Sequence, residues 1–356
     1  MNRPIIGITM GDPAGVGPEI IVKALSRPEV YKLCRPVVVG SGAVLSAALR
    51  ITSSPLELNV VSELESVKGE HGWIDVLDLR NIELGDFVFG RVNAEAGRAS
   101  VEYIFRAIDL ALAGELDAVV TGPINKEAMN AAGFHYAGHT EIFAQRTGAK
   151  EYAMLLVDGE MRVVHVSTHV SLREACELVK KERVLTVIRL AAEAMKALDI
   201  SRPKIAVAGL NPHAGENGLF GREEIEEIIP AVETARSQGF RVEGPLPPDT
   251  VFPKLRGGQY DIVVAMYHDQ GHIPMKLAGF RYDQTAKRWS SISGVNVTLG
   301  LPIIRTSVDH GTAYNHAGKG TANEDSMVDA IKMAVSLSRK GEGYASGSED
   351  HERQGH

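Results

Sequence analysis

The chain reads as an α/β protein with largely parallel sheets, organised as two domains. Three observations predict this. Short apolar runs alternate with helix-patterned stretches along most of the sequence. Turn-forming Gly, Pro, Asn and Asp follow many of those runs. The length, 356 residues, exceeds what one simple core accommodates.

The elements follow in order. Residues 5–10 (Ile-Ile-Gly-Ile-Thr-Met) are a buried strand, and Gly11 to Gly17 a loop. Pro18 then opens a helix, where its missing N–H costs nothing. Residues 37–40 are a second strand, followed by an Ala/Leu-rich helix, and 118–123, 161–166, 204–209 and 261–266 are further strands. Helical patterns cover 182–198 and 223–238. Residues 341–356, rich in Gly, Ser and charge, are expected to be a disordered tail.

Composition narrows the function classes. The chain is 44% hydrophobic and 23% charged, ordinary for a soluble globular protein. A net charge of −7 argues against nucleic-acid binding, so an anionic ligand needs a local basic cluster. Two distant cysteines, Cys34 and Cys176, support neither a disulfide framework nor a cysteine-rich zinc site. The N-terminal apolar stretch is too short for a signal peptide, and no segment approaches the roughly 20 apolar residues of a membrane span. The expectation is a cytoplasmic enzyme with no membrane or nucleic-acid partner.

Three histidines stand in dense motifs after apolar runs: His169 in Ser167-Thr168-His169, His213 in Asn211-Pro212-His213-Ala214-Gly215-Glu216, and His268 in Tyr267-His268-Asp269-Gln270-Gly271. In parallel sheets, ligands bind beyond the carboxyl ends of strands. Neutral imidazoles converging there would hold zinc or another first-row divalent metal. Asp269 and Asp249 are candidates to orient a ligand histidine or to ligate weakly; the alternative is a turn or helix-cap aspartate.

Anion-binding candidates come next. Gly138-His139-Thr140-Glu141 precedes a helix whose N–H groups, with the Thr140 hydroxyl, suit a phosphate or carboxylate; the alternative is a plain N-cap. Arg305, after an apolar run, is placed to grip an oxyanion bidentately. Lys276 and Lys126 are further basic candidates, each of a kind more often a solvated surface charge. The run Gly11-Asp12-Pro13-Ala14-Gly15-Val16-Gly17-Pro18-Glu19 only superficially resembles a nucleotide loop: it lacks the third glycine of the dinucleotide fingerprint, and no P-loop is present. By itself it is a tight strand-to-helix turn.

With the motifs Met10 to Glu19, Gly138 to Glu141, Asn211 to Glu216, His268-Asp269-Gln270-Gly271 and Val308-Asp309-His310-Gly311-Thr312-Ala313 in this order, the chain closely resembles the 4-hydroxythreonine-4-phosphate dehydrogenase family of vitamin B6 (pyridoxine) biosynthesis, from about residue 4 to about residue 340. The resemblance implies two α/β/α domains with a central cleft, as in isocitrate and isopropylmalate dehydrogenases, and a homodimer with a shared active site. It puts the domains at 1–125 plus 297–340, and 126–296. It implies that His169, His213 and His268 bind the divalent metal (zinc, with magnesium, cobalt or manganese as alternatives) and that His139, Thr140, Lys276, Asn296 and Arg305 bind the substrate. The segment His310-Gly311-Thr312-Ala313, with Ala317-Gly318-Lys319-Gly320 and Asn323, looks like the adenosine loop for NAD or NADP. The implied reaction removes hydride from a secondary alcohol β to a carboxylate, then decarboxylates the β-keto acid. Lys276 is the acid-base candidate, and Asp269 and Asp249 support the metal.

Two departures bear on the substrate. Gly271-His272-Ile273-Pro274 resembles the subgroup acting on D-threonate or D-erythronate 4-phosphate, which carry a hydroxyl where hydroxythreonine phosphate carries an amine. Residues 281–293 are longer than the family pattern; Arg288 and Trp289 are either pocket residues or part of a surface hairpin. A zinc hydrolase using the same three histidines, with Asp269 as general base, is the competing enzyme class. A catalytically idle sugar-acid binder is the third reading.

Overall fold

The computed structural model describes residues 3–284, 288–292 and 294–339. It forms two compact units: Met1–Ala149 with Leu301–His356, and Lys150–Gly300. Unit 1 begins with β1 (Ile5–Thr9), α1 (Gly17–Leu25), α2 (Pro28–Leu33), β2 (Arg35–Gly40), α3 (Gly42–Ile51), β3 (Glu57–Val61) and β4 (Trp73–Asp78). It continues through α4 (Ala94–Leu112), β5 (Ala118–Thr121), α5 (Lys126–Ala131) and α6 (His139–Thr147). Unit 2 holds β6 (Ala153–Asp158), β7 (Met161–His165), α7 (Leu172–Leu178), α8 (Lys181–Ala197), β8 (Ile205–Ala208), α9 (Ile229–Ser237) and β9 (Val242–Leu246). It ends with α10 (Pro248–Arg256), β10 (Ile262–Ala265), α11 (His268–Gly279), β11 (Phe280–Asp283), β12 (Arg288–Ile292) and β13 (Val295–Leu299). The chain then returns to unit 1 as β14 (Arg305–Val308) and α12 (Asp325–Ser338). The expected tail, 341–356, lies outside the described residues.

The first domain boundary falls at 149/150, where the sequence suggested 125/126. Helices α5 and α6 belong with unit 1 because both pack on α4. Gly97 makes this approach feasible: a Cβ there would meet the Ala128 carbonyl oxygen at 2.2 Å.

In unit 1 the strand order is β3-β4-β2-β1-β5-β14, and the pairs are parallel. Ile6 and Ile8 of β1 are fully buried, each contributing about 1.5–3 kcal/mol of transfer free energy. Register aligns the carboxyl ends of β1, β5 and β14, with Thr9 opposite Thr121 and Thr121 opposite Ser307.

In unit 2 the order is β13-β6-β7-β10-β8-β9. Strands β7, β10, β8 and β9 are parallel, as expected, but β6 runs antiparallel to both neighbours. The cause is a tight hairpin. Asp158 pairs with Met161, and Gly159 takes the positive φ (57°) that a two-residue hairpin loop places at its first position. The core here packs Val163, Ala206 and Val263 of the sheet under Val251 and Phe252 of α10 and Met275 of α11. The helix expected over 223–238 is a π-helical turn, Glu224–Ile228, leading into α9; Pro230, which has no N–H, falls near the join. Residues 281–283 and 288–292 form an antiparallel hairpin; whether Arg288 or Trp289 reaches a pocket lies outside the described side chains.

Candidate active site

The three histidine motifs leave the carboxyl ends of adjacent parallel strands β7, β10 and β8. The loops after β7 and β10 are tied together: Ser167 donates from both its backbone N–H (3.2 Å) and its hydroxyl (2.9 Å) to the Met266 carbonyl. His169 and His268 consequently approach, with ring centroids 5.7 Å apart. His268 opens α11, and its Nδ1 lies 2.6 Å from the Asp269 carboxylate, which leaves Nε2 as the ring nitrogen not engaged by that pair. Asp249 sits exposed in the first turn of α10.

His213 lies on a separate, unusual loop. Residues 213–217 all take left-handed backbone angles, with φ between 41° and 79°, and only Gly215 among them is a glycine. Such runs are costly and cluster at functional sites. The buried Glu224 carboxylate holds the entry to this loop, accepting from the N–H groups of Leu210 (2.7 Å) and Asn211 (2.8 Å) and from Asn211 Nδ2 (2.9 Å). His213 Nδ1 lies 2.7 Å from Glu216, repeating the imidazole–carboxylate pairing at His268. Among the described residues no three His, Cys, Asp or Glu side chains are arranged to bind one ion. The donor chemistry fits a first-row divalent metal, and two of the three expected ligands converge within the chain.

Two histidines that sequence reasoning passed over join the His169–His268 pair. His272 stacks on His268, with centroids 3.6 Å apart and planes 9° from parallel, and its Nδ1 lies 3.0 Å from the His268 carbonyl. His165 lies 4.8 Å behind His272; its Nδ1 faces the Met154 carbonyl, while its buried Nε2 lacks a protein partner. Burial, reinforced by the neighbouring imidazoles, lowers His272 to about 4 and His165 to about 3, so both are neutral near pH 7. The spacing of His268 and His272, one helical turn, was a readable signal. His165, inside an apolar strand, looked like core. Gln270 braces the same corner, accepting from Met266 N–H (2.6 Å) and donating to the Gly209 carbonyl (2.8 Å). Lys276 follows on α11, half-buried, with Nζ 4.7 Å above the Phe280 ring. Asn296 on β13 carries a buried Oδ1 without a protein partner, a group that calls for an explanation.

Unit 1 assembles the anion-binding candidates. Arg305 opens β14, is 3% exposed, and donates to the Thr121 hydroxyl at 2.7 Å. Burial pulls its guanidinium down to about 9, opposed by the Glu141 carboxylate, so it remains cationic at neutral pH. His139 is the first residue of α6. Burial, then Arg305, hold its imidazole well below its ordinary value, and its buried Nε2 lacks a protein partner. Thr140 follows in the same first turn. A buried cation, a neutral imidazole and a helix N-terminus are the groups that hold an oxyanion in proteins generally. Lys126 is exposed beside Gly138.

The loop from Asp309 to Glu324 connects β14 to α12 and contains His310, Gly311, Thr312, Ala313 and Asn323. Ala313 has φ 41°; Asn323 caps the approach to α12, accepting from Asp325 N–H at 2.8 Å. The Gly11–Glu19 stretch lies against this loop. Gly11 needs its positive φ of 73° and has no room for a Cβ, which would meet the Pro123 carbonyl oxygen at 2.4 Å. The stretch is thus a tight strand-to-helix turn, as read.

Nearly the whole chain is similar to known proteins. The model of the family described as pyridoxal phosphate biosynthetic protein PdxA matches residues 32–334. A relative from Symbiobacterium thermophilum, provisionally named D-threonate 4-phosphate dehydrogenase, is 46% identical over 334 residues, spanning 94% of this chain and 96% of its own. One from Bradyrhizobium diazoefficiens with the same provisional name is 49% identical over 341 residues, spanning 95% and 97%. The crystal structure of a 4-hydroxythreonine-4-phosphate dehydrogenase from Klebsiella pneumoniae is similar with a TM-score of 0.81 and 44% identity, covering 95% of this chain and 99% of that one.

Proposed function

The chain belongs to the PdxA family of pyridoxal phosphate biosynthetic proteins, and from that premise we propose that it oxidises and decarboxylates D-threonate 4-phosphate with NAD or NADP. It is a dehydrogenase of a 4-phosphorylated hydroxy acid; the zinc-hydrolase alternative finds no support among its relatives. The choice of a sugar-acid phosphate over the amino acid follows the names of the near-full-length relatives and the Gly271-His272-Ile273-Pro274 wording. The observation that carries the anionic substrate is the buried Nε2 of His139 beside Arg305 at the start of α6.

In this reading Arg305, His139 and Thr140 bind the phosphate or carboxylate end, and Asn296 Oδ1 accepts a hydrogen bond from a substrate hydroxyl. His169, His213 and His268 would hold the divalent metal, zinc being favoured by an imidazole donor set, with Asp269 and Glu216 fixing their imidazoles. When bound, the metal supplies Lewis acidity for the developing alkoxide and enolate, and the nicotinamide accepts the hydride. Lys276 takes the alcohol proton and returns one to carbon after carbon dioxide leaves. We read the active enzyme as a homodimer with a shared site, which accommodates a three-histidine metal centre that the described residues of one chain do not assemble alone. A cytoplasmic location accords with a soluble nicotinamide cofactor; no described helix is long and apolar enough to cross a membrane.

The test mixes purified protein with NAD or NADP, zinc, magnesium, cobalt or manganese, and D-threonate, D-erythronate or 4-hydroxythreonine 4-phosphate. Reduced nicotinamide should form fastest with D-threonate 4-phosphate. Preference for the amino acid would overturn the substrate assignment, and no reduction with any of them would overturn the dehydrogenase.

A further inference from the structure

We propose that α1 and the turn before it are a rigid bed that presets the cofactor loop, with Glu19 as its central positioning residue. The inference rests on reading residues 310–323 as the nicotinamide-dinucleotide loop. The Gly11–Glu19 motif, as a tight turn, has no assigned task. The structure shows what its polar groups do. Asp12 and Glu19 are carboxylates with 0% exposure, which only hydrogen bonding makes tolerable. Both direct that bonding at the loop. Asp12 takes one bond from its own turn, Ala14 N–H at 2.8 Å, and one from the Tyr314 hydroxyl at 2.7 Å. Glu19 accepts the Gly318 N–H on one oxygen and the Gly320 N–H, at 2.7 Å, on the other. Val16 N–H reaches the Thr312 carbonyl at 3.0 Å, and Lys23 Nζ reaches the Ala322 carbonyl.

These contacts are periodic. Positions 12, 16, 19 and 23 lie on successive turns of the chain entering and forming α1, and they grip the loop at 314, 312, 318/320 and 322. Gly15 completes the bed: a Cβ there would lie 3.0 Å from Thr312 Cβ and 3.1 Å from its carbonyl oxygen, so glycine sets how closely the loop lies. Ala313, Gly318 and Gly320 all have positive φ, conformations a free loop would populate only in part. Holding them in advance removes an ordering cost that cofactor binding would otherwise bear. A carboxylate is the required group because two N–H donors point at two oxygens. A glutamine in its place would aim an NH2 group at one of them.

The test compares Glu19→Gln, Tyr314→Phe and Gly311→Trp in the full-length protein. NADH affinity is measured by fluorescence without substrate, and KM and kcat in turnover. Gly311 has open space where a side chain would project, so Gly311→Trp occludes the loop surface without disturbing the bed. Losing one charge-assisted bond and setting donor against donor should raise the NADH Kd and the NAD KM by about tenfold in Glu19→Gln. KM for the phosphorylated acid, and kcat at saturating cofactor, should stay within about threefold. Tyr314→Phe keeps the turn intact and should raise the NADH Kd by about threefold; it decides the matter if Glu19→Gln does not fold. Unchanged NADH affinity in Gly311→Trp would overturn the cofactor reading itself. Weakened binding in Gly311→Trp together with wild-type affinity in folded Glu19→Gln, or in Tyr314→Phe if Glu19→Gln does not fold, would overturn the bed alone.

Discussion

Gly271, in the second turn of α11, is predicted to be irreplaceable even by alanine. A Cβ there would lie 2.3 Å from His165 Nε2 and 2.7 Å from Val163 Cγ1, both on β7. His165 is fully buried and its Nδ1 lies 3.1 Å from the Met154 carbonyl, so its ring cannot swing away without forfeiting that bond. Overpacking costs about 1–3 kcal/mol and the forfeited bond about 1 kcal/mol. Alanine's better helix propensity returns about 1 kcal/mol. The net for Gly271→Ala is a loss of about 2 kcal/mol, a fall of about 4–8 °C in the melting of a unit this size. Calorimetry suits the measurement, because a chain of two compact units need not melt in one step. As α11 is pushed off β7 it carries His268 with it, so zinc affinity in a chelator competition should fall as well. A Gly271→Ala protein that melts at or above the wild-type temperature would refute the close-approach argument.

Three other outcomes are expected. Arg305→Lys keeps the charge but loses the planar fork; KM for the phosphorylated acid should rise about tenfold or more, and an unchanged KM would remove Arg305 from the anion grip. His213→Ala should abolish tight zinc binding, and Glu216→Gln should weaken it about 10–100-fold, both without a change in melting temperature because the His213 side chain is 58% exposed; full zinc binding by the alanine variant would exclude His213 as a ligand. Arg27 bonds Glu324 at 2.7 Å and Asp325 at 2.6 Å. Burial pushes both carboxyls up, but hydrogen bonds from Arg27, with Lys23 on Glu324 and Asn323 on Asp325, outweigh it and leave them below their ordinary values. Lowered carboxyl values give stability that is complete above the unfolded range and lost as pH falls through the folded values. Arg27→Ala should therefore melt lower than wild type at pH 7, by about 0.5–1 kcal/mol for such half-exposed pairs, with the gap closing below about pH 4; a gap independent of pH would count against the pairing.

The parallel strands were legible because β1, β5, β8 and β10 are unbroken apolar runs buried on both faces. Strand β6 escaped notice although Asp158-Gly159 between two apolar runs is a hairpin signal, because strand-helix alternation elsewhere along the chain favoured reading every strand as parallel. The metal candidates His169 and His268 were legible from loop chemistry at strand ends. The left-handed run at 213–217 was not, because the sequence there, with one glycine among five residues, does not announce positive φ angles. His165 and His272 were hidden for opposite reasons: one sits in a strand that reads as core, the other in a segment that reads as a family variation. Asp12 and Glu19 were hidden by the glycines around them, which invite a search for phosphate rather than for a partner loop some 300 residues away.

That distance has a consequence for biogenesis. Ribosomes deliver α1 before unit 2 and residues 312–320 after it. Until they arrive, Asp12 and Glu19 stand where no loop amides can reach them, and the edge of β5 that will pair with β14 is bare. A nascent unit 1 cannot bury these carboxylates cheaply, so its first half is held open until all of unit 2 has been made. The fold thereby couples placement of the 309–324 loop to completion of unit 2: a chain truncated before Arg305 would lack both that loop and the strand that closes the sheet over β5, and would present an unpaired edge to its neighbours.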